Sequence, residues 1–482
     1  ILYPAGFYVS RVEVDPSVTI PSGWEFATAL EKTEPASDGV TALSFRRVSL
    51  ETLVDSPLFA GRNAAHWDLD PGAGVPVRLD VFAERPELFK PSKDLDERIQ
   101  HHRTLVQQAY KLFGTKHYDH YDFLVTLSDD IHYSGLEHHR SSEDNSPPEY
   151  LTAWDKTIVA RDLLPHEYTH SWNGKFRRPA DLWTPNFNTP MGDSLLWVYE
   201  GQTQYWGKVL TARSGLWNKE QALDAFANIA AYFASQAGRK WRNLQDTTFD
   251  ELVAPRFLPQ SWASWRRSKD YYDEGALLWL DADTLIREES QGQRSLDDFA
   301  RAFFGGKDGE TRPDLYKFDD VVAALNAVQP YDWQKFLRER LDVLNRDPLD
   351  GIRRSGYQLT YTDTAGKYYE SSESLGKVTN LIYSSGLVIA KSGKIRGVLW
   401  DSPAFKAGLS PGADIRAVNG IAYDSDRLKD MIKAREPLEL IVEDQGHFRI
   451  VRIDYRDGLR YPHLKRIEGQ PARLDDILAA RK

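Results

Sequence analysis

His166-Glu167-Tyr168-Thr169-His170 constrains this chain more than any other stretch, because two imidazoles four residues apart share one face only if the segment is helical. On a helix, that spacing with a carboxylate beside the first histidine is a zinc-hydrolase signature. Pro165 directly precedes the motif, and a proline in a helix interior costs about 3 kcal/mol. With Asp162 as N-cap, however, Leu163, Leu164 and Pro165 fill the first turn, where backbone N–H groups lack intrahelical partners and proline is tolerated. His166 and His170 then point the same way.

A catalytic zinc usually takes three protein ligands and keeps a fourth position for water, so one ligand must come from elsewhere. Glu200 is the best candidate. It lies in a largely apolar helical pattern (Leu195, Leu196, Val198, Tyr199, Tyr205, Trp206, Val209, Leu210) that should start near Asp193 or Ser194 and end near Ser214-Gly215. A lone glutamate in so apolar a helix needs a partner, and a metal supplies one. Asp193 is the fallback ligand, although it reads more readily as an N-cap. The chain has no cysteine, so any metal site must be built from His, Asp and Glu.

A formal charge of -10 and a pI near 5.7 argue against nucleic-acid binding, which leaves a basic footprint. No apolar run approaches the length of a membrane span, and no signal peptide is visible. Because it begins at Ile1 rather than methionine, the chain reads as processed or truncated. Residues 1–88 are short apolar runs broken by Gly, Pro and Asp, which predicts a β-rich domain with strands over 7–14, 23–30 and 40–48. A helix from about 90 to 115 and a buried strand at 123–127 open the region 89–350. Residues 150–345 are then mostly helical, with helices expected at 220–237, 275–289, 296–304, 319–327 and 333–344. After Asp347-Pro348 the pattern turns to strands and glycine turns, marking a boundary near 350. A connecting segment (351–380), a further domain (381–456) and a tail (457–482) follow, so the expected fold class is α+β and multidomain.

The segments His166 to Lys175 (HEYTHSWNGK) and Leu196 to Tyr205 (LWVYEGQTQY) resemble the glycyl aminopeptidase family of zinc metallopeptidases, a thermolysin-like branch related to aminopeptidase N. Leu2-Tyr3-Pro4-Ala5-Gly6 and Val54-Asp55-Ser56-Pro57-Leu58 resemble that family's approach to its catalytic region. Tyr133 to His138 resembles its amine-anchoring loop, and Tyr271-Tyr272-Asp273-Glu274-Gly275 its catalytic-tyrosine segment, with Glu274 where related aminopeptidases usually show lysine. The resemblance implies a thermolysin-like mixed and helical catalytic domain behind the N-terminal β-domain. It also implies one Zn2+ per chain on His166, His170 and Glu200, with Glu167 as general base. Tyr272 becomes the oxyanion donor, with Tyr271 as the competing assignment. Glu137 becomes the acceptor for a substrate α-amine, beside Gly135, where the missing side chain lets a peptide approach closely. On residues alone, Glu137 reads as a surface carboxylate on a polar loop, since His138 to Asp144 are all polar. Trp172 and Asn173 either support the ligands or simply pack, and His101, His102, His117 and His120 read as solvated.

Ser385-Gly386-Leu387-Val388 resembles the carboxylate-binding loop and following strand of a PDZ domain, while Ser402 to Leu409 and Gly412 to Gly420 match that family's central signature. A C-terminal PDZ domain at 381–456 would bind peptide C-termini or extended segments, or act only as a brace. The function expected is a zinc aminopeptidase acting on peptides with a free N-terminus, preferring small residues such as glycine or alanine by family analogy. The expected location is periplasmic or secreted, with the cytoplasm as alternative. A zinc endopeptidase, or a PDZ-based peptide-binding protein with an inactive metal site, are the rivals; the intact Glu167 argues against the second.

Overall fold

The computed structural model describes residues 2–33, 42–253 and 261–482. The chain folds as two units, neither of them one continuous stretch. The first takes Ile1–Trp217, Glu289–Trp333 and Leu478–Lys482, and the second takes Asn218–Glu288 and Gln334–Ile477.

A five-stranded sheet organises the first unit. Val77–Ala83 and Tyr121–Leu127 lie parallel at its centre, with Arg78 opposite Asp122 and Val81 opposite Val125. Both are largely buried, which is why they read as apolar runs rather than as alternation. The helix Lys93–Phe113 connects them. Ser92 Oγ accepts the Leu95 N–H at 3.1 Å to start it, and Gly114, with a left-handed φ of 78°, stops it. Ala64–Asp68 closes one side of the sheet in antiparallel pairing. On the other side Ser141–Ser146 runs parallel to Tyr121–Leu127, and Ser134–Glu137 forms the edge, antiparallel to Ser141–Ser146.

Ser141–Ser146 departs from what its composition suggests. The sequence SSEDNS reads as a polar loop, yet Ser141, Ser142, Asp144 and Ser146 are buried. Strand pairing on both sides satisfies the backbone whatever the side chains, and Ser142 Oγ donates to Asp144 Oδ2 at 2.7 Å.

The histidines expected in solvent are a second correction. His102, His117 and His120 are buried, and only His101 stays half-exposed. His102 falls on the apolar stripe of its helix beside Ile99 and Val106, so it turns inward; its Nδ1 lies 2.7 Å from Arg98 O and its Nε2 2.9 Å from the Tyr150 hydroxyl. Burial pushes its pKa down to about 4. His117 stacks on Phe176 at 3.5 Å between centroids.

The N-terminal residues make short ladders rather than long strands. Glu13–Val14 pairs with Val48–Ser49, Ser17–Thr19 with Ala42–Ser44, and Glu25–Thr28 with Leu58–Gly61. Within the expected strand 7–14, Val9–Arg11 is a turn of 3-10 helix. Val40 and Thr41 of the expected strand 40–48 lie outside the described residues.

In the second unit, the helices Lys219–Ala234 and Asp273–Glu289 fall close to their expected positions. The strands and glycine turns read after residue 350 become a two-stranded ladder, Tyr357–Thr362 with Tyr461–Arg466, and a β-module. In that module Val378–Leu381, Leu387–Ala390 and Ile395–Val398 form one sheet, while Ile421–Ala422, Asp414–Val418, Leu438–Asp444 and His447–Ile453 form another. The helix Ser425–Lys433 adds Leu428 and Ile432 to their shared core. No helix among the described residues is long and apolar enough to cross a membrane.

Candidate metal centre

The helix Leu163–Thr169 carries the motif, and His170 ends it. Pro165 occupies the first turn, and the His166 N–H bonds Asp162 O at 3.0 Å. The Asp162 side chain does not cap the helix, contrary to expectation. Its Oδ2 takes Lys208 Nζ at 3.0 Å instead, because an almost fully buried ammonium has the greater need of a partner. Glu200 is not inside one long helix either. It is the joint between Leu196–Tyr199 and Gly201–Arg213, with its N–H on Leu196 O at 2.8 Å and its C=O accepting the Gln204 N–H at 2.7 Å. Gly207 lets this second segment press against the motif, since a Cβ there would stand 3.1 Å from His166 Cα.

Three donor atoms converge as a result. His166 Nε2 and His170 Nε2 are 3.2 Å apart, and Glu200 Oε2 lies 3.4 Å and 3.3 Å from them. A tetrahedral ion with ligand bonds of ~2.0–2.1 Å needs donor–donor edges of roughly 3.3–3.4 Å. The three residues therefore fit such an ion in both donor type and spacing. The surroundings also fix the ligands: His170 Nδ1 faces Asn173 O at 2.9 Å, which leaves Nε2 to turn its lone pair toward the centre. Asn173 Nδ2 donates to Val198 O (2.9 Å), Tyr199 O (3.2 Å) and Thr203 Oγ1 (3.0 Å), tying the histidine segment to the glutamate segment. Trp172 packs, stacking on Phe113 at 4.5 Å and donating to Thr115 O at 2.8 Å. Asp193 belongs to no metal-capable cluster among the described residues.

Glu167, Glu137 and His170 form a second such cluster, their ligand atoms within 4.8 Å of one another. Gly135, on the edge strand, is what makes room: a Cβ there would overlap the Glu167 carboxylate. Burial, and after it the charges of Glu137, Asp144 and Glu200, push the Glu167 carboxyl well above its ordinary range. Burial works to raise Glu200 too, but His170 and His166 outweigh it and hold that carboxyl low. The Tyr199 hydroxyl donates to Glu137 Oε1 at 2.5 Å.

Asp144, pushed up to about 7 chiefly by burial, sits opposite Gly135 in the strand register. Sequence reading assigned nothing to Tyr199 or Asp144, whose neighbours are distant along the chain. It also missed Asp55, although the quoted segment contains it. Asp55 Oδ1 meets Lys175 Nζ (2.6 Å) and His138 Nδ1 (3.2 Å), and its Oδ2 accepts the His139 N–H (2.8 Å). One half-buried carboxylate thereby pins the end of the edge strand to the segment after the motif. A cavity of about 600 Å³ lined by Glu137, Tyr199, Asp55, Arg178 and Met191 opens alongside.

Tyr272 belongs to the second unit, where it is half-buried with its ring 4.9 Å from that of Tyr271. Tyr271 is buried, its hydroxyl donating to Glu251 Oε1 at 3.4 Å. Glu274 accepts Arg239 Nε at 2.8 Å and pairs with Arg267, which accounts for an acid at that position.

Two histidines and a glutamate are a donor set suited to zinc, and comparisons of sequence and fold lead to peptidases. The M61 glycyl aminopeptidase family model matches residues 159–278, and the peptidase M61 N-terminal domain model matches residues 1–62. No curated protein sequence matches the chain. Among solved structures, an aminopeptidase N family protein from Idiomarina loihiensis is similar over 98% of this chain and 80% of that one, at 18% identity and a TM-score of 0.74. An M1 zinc metallopeptidase variant from Deinococcus radiodurans is similar over 69% of this chain and 65% of that one, at 17% identity and a TM-score of 0.44.

Proposed function

We propose that the protein is a zinc-dependent aminopeptidase that releases N-terminal residues, small ones such as glycine and alanine foremost, from peptides. The observation that carries this reading is the triangle of His166 Nε2, His170 Nε2 and Glu200 Oε2, with edges of 3.2–3.4 Å, beside the Glu167 carboxylate. Two histidines and a glutamate are a catalytic zinc's ligand set, whereas hard cations such as calcium favour all-oxygen sites. Bound there, zinc would lower the pKa of water and polarise the scissile carbonyl.

The remaining steps belong to the chain. Glu167 takes a proton from the attacking water and returns it to the leaving amine, a role suited to a carboxyl whose affinity for protons is raised. Glu137 accepts the substrate's α-ammonium, with Tyr199 holding its other face, and the edge strand Ser134–Glu137 offers backbone groups to an extended peptide. Tyr272 donates to the developing oxyanion, with Tyr271 as the competing donor. Residues 381–456 serve as a PDZ-type module. A panel of aminoacyl chromogenic amides, free and N-acetylated, with and without chelator, tests the proposal. Cleavage of free amides alone, lost on chelation and restored by zinc, is the expected result. Equal cleavage of blocked substrates would make the enzyme an endopeptidase, and chelator-resistant activity would end the zinc reading.

A further inference from the structure

In the β-module of the second unit, the strand that follows the Ser385-Gly386 loop, Leu387–Ala390, is paired on both edges. Ile395–Val398 lies along one and Val378–Leu381 along the other, with Leu381 opposite Leu387, Asn380 opposite Val388 and Thr379 opposite Ile389. A peptide that docks by strand addition, with its carboxylate in the loop, needs that second edge. We infer that the module's peptide groove is already filled by the chain's own Thr379-Asn380-Leu381, an internal ligand that excludes peptide C-termini. This rests on the PDZ-type reading of residues 381–456.

The end of the segment sits as a ligand's would. Leu381 O accepts the N–H groups of both Ser384 and Gly386 at 3.0 Å, so the loop amides that would receive a carboxylate hold a backbone carbonyl. Gly386 shapes the loop through a φ of +93°, and a Cβ there would strike Ser402. Ser385 Oγ, fully buried in the same loop, has no hydrogen-bond partner among the described residues, leaving a donor for the second oxygen that a carboxylate has and a carbonyl lacks. Alternate side chains point inward, as in strand-added peptides. Leu381 is 1% exposed within the module's core and Thr379 is 5% exposed, while Asn380 between them is not buried.

The segment is also clamped from outside. The helix Lys367–Gly376 satisfies its outer edge, with Glu373 Oε1 accepting the Asn380 N–H at 2.5 Å and the Tyr369 hydroxyl donating to Asn380 O at 2.9 Å. Glu373 Oε2 then meets Lys429 Nζ at 2.9 Å on the helix Ser425–Lys433. One glutamate therefore links the strand to a helix that contributes to the same core, and this is the contact whose loss should open the groove.

The test uses the full chain and a fluorescein-labelled octapeptide ending in Thr-Asn-Leu with a free carboxylate, read by anisotropy, with hydrogen exchange reporting on residues 378–381. In the wild type, 378–381 should be protected as well as 387–390, with no saturable binding. In E373A/K429A the protection should fall at 378–381 and the peptide should bind at least about tenfold tighter, because a charge-assisted hydrogen bond and an ion pair are gone. The C-terminally amidated peptide should bind neither. Thr379→Pro breaks the strand directly and serves where the double variant stays closed. Saturable wild-type binding with 378–381 still protected would refute self-occupancy while leaving a peptide groove standing. A folded, opened variant that ignores the peptide would refute the PDZ-type reading beneath it. Protection at 378–381 in both variants would make the segment a fixed core strand and end the inference.

Discussion

Gly135→Ala measures how much of the chemistry depends on one absent methyl group. The Gly135 backbone has no positive φ, so alanine adopts it without strain, and only the new Cβ matters. That atom would lie 2.5 Å from Glu167 Cδ and 2.9 Å from Cγ, and would overlap Oε1. Ordinary Cβ contacts begin at 3.4 Å, so the carboxyl carbon must retreat by about 0.9 Å and its oxygen by more. A misplacement of ~1 Å in a reacting group costs on the order of 100-fold in rate, or about 2.7 kcal/mol of barrier. The three atoms nearest the new methyl all belong to Glu167 and none to His166, His170 or Glu200, so zinc content should stay near one per chain. Steady-state kinetics on alanyl p-nitroanilide, with metal counted by mass spectrometry, separates the two effects. Full kcat in G135A would refute the claim that the edge strand sets the position of Glu167. A parallel loss of zinc would show instead that the whole centre had collapsed.

Glu167→Gln should keep its zinc and lose turnover by several orders of magnitude; an active variant would remove Glu167 as base. Glu137→Ala should impair free-amine substrates far more than N-acetylated ones, and equal impairment would reject the amine-anchor role. Asn173→Ala removes three hydrogen bonds between the ligand-bearing segments, so zinc affinity should fall roughly 10–100-fold in a chelator competition, and an unchanged affinity would contradict the link. Asp297→Asn breaks a buried pair with Arg213 (2.9 and 3.0 Å) and Arg481 (2.7 Å), which should cost roughly 3 kcal/mol in denaturant unfolding at neutral pH. Burial works to raise the Asp297 carboxyl, but the two arginines hold it well below its ordinary 3.8. The pair's contribution is therefore full above pH 3.8 and is lost as pH falls below it, so the gap between variant and wild type should close in acid. A gap that does not change with pH would overturn this assignment.

The donor residues were legible because helical spacing is local: His166 and His170 share a face whatever surrounds them, and an acid in an apolar run announces a partner. What the spacing could not give was the break at Glu200, since the helix tolerates a joint without any change in hydrophobic pattern. Composition misjudged Ser141–Ser146 because a strand paired on both sides is stabilised by its backbone ladder, which side-chain polarity does not encode. His102 misled for a different reason: a lone imidazole on an apolar stripe is invisible to any count of polar residues, and only its two partners explain it. The fit of Gly135 against Glu167 joins positions remote in the chain, and it becomes visible only when the edge strand is laid beside the motif helix. Tyr199 entered the sequence reading only as part of an apolar helical pattern, and it is buried, yet its hydroxyl reaches Glu137.

Arg213, Asp297 and Arg481 come from three separate passes of the chain through the first unit, and their charges meet in one buried knot. A ribosome emits them in that order. At ~5–20 residues per second, the stretch after Trp217 takes on the order of tens of seconds to emerge. Arg213 waits for Asp297 through about the first third of that interval, and Asp297 waits for Arg481 until its end. Chaperone occupancy during translation should therefore be highest on nascent chains that already include Trp217 but do not yet include Arg481.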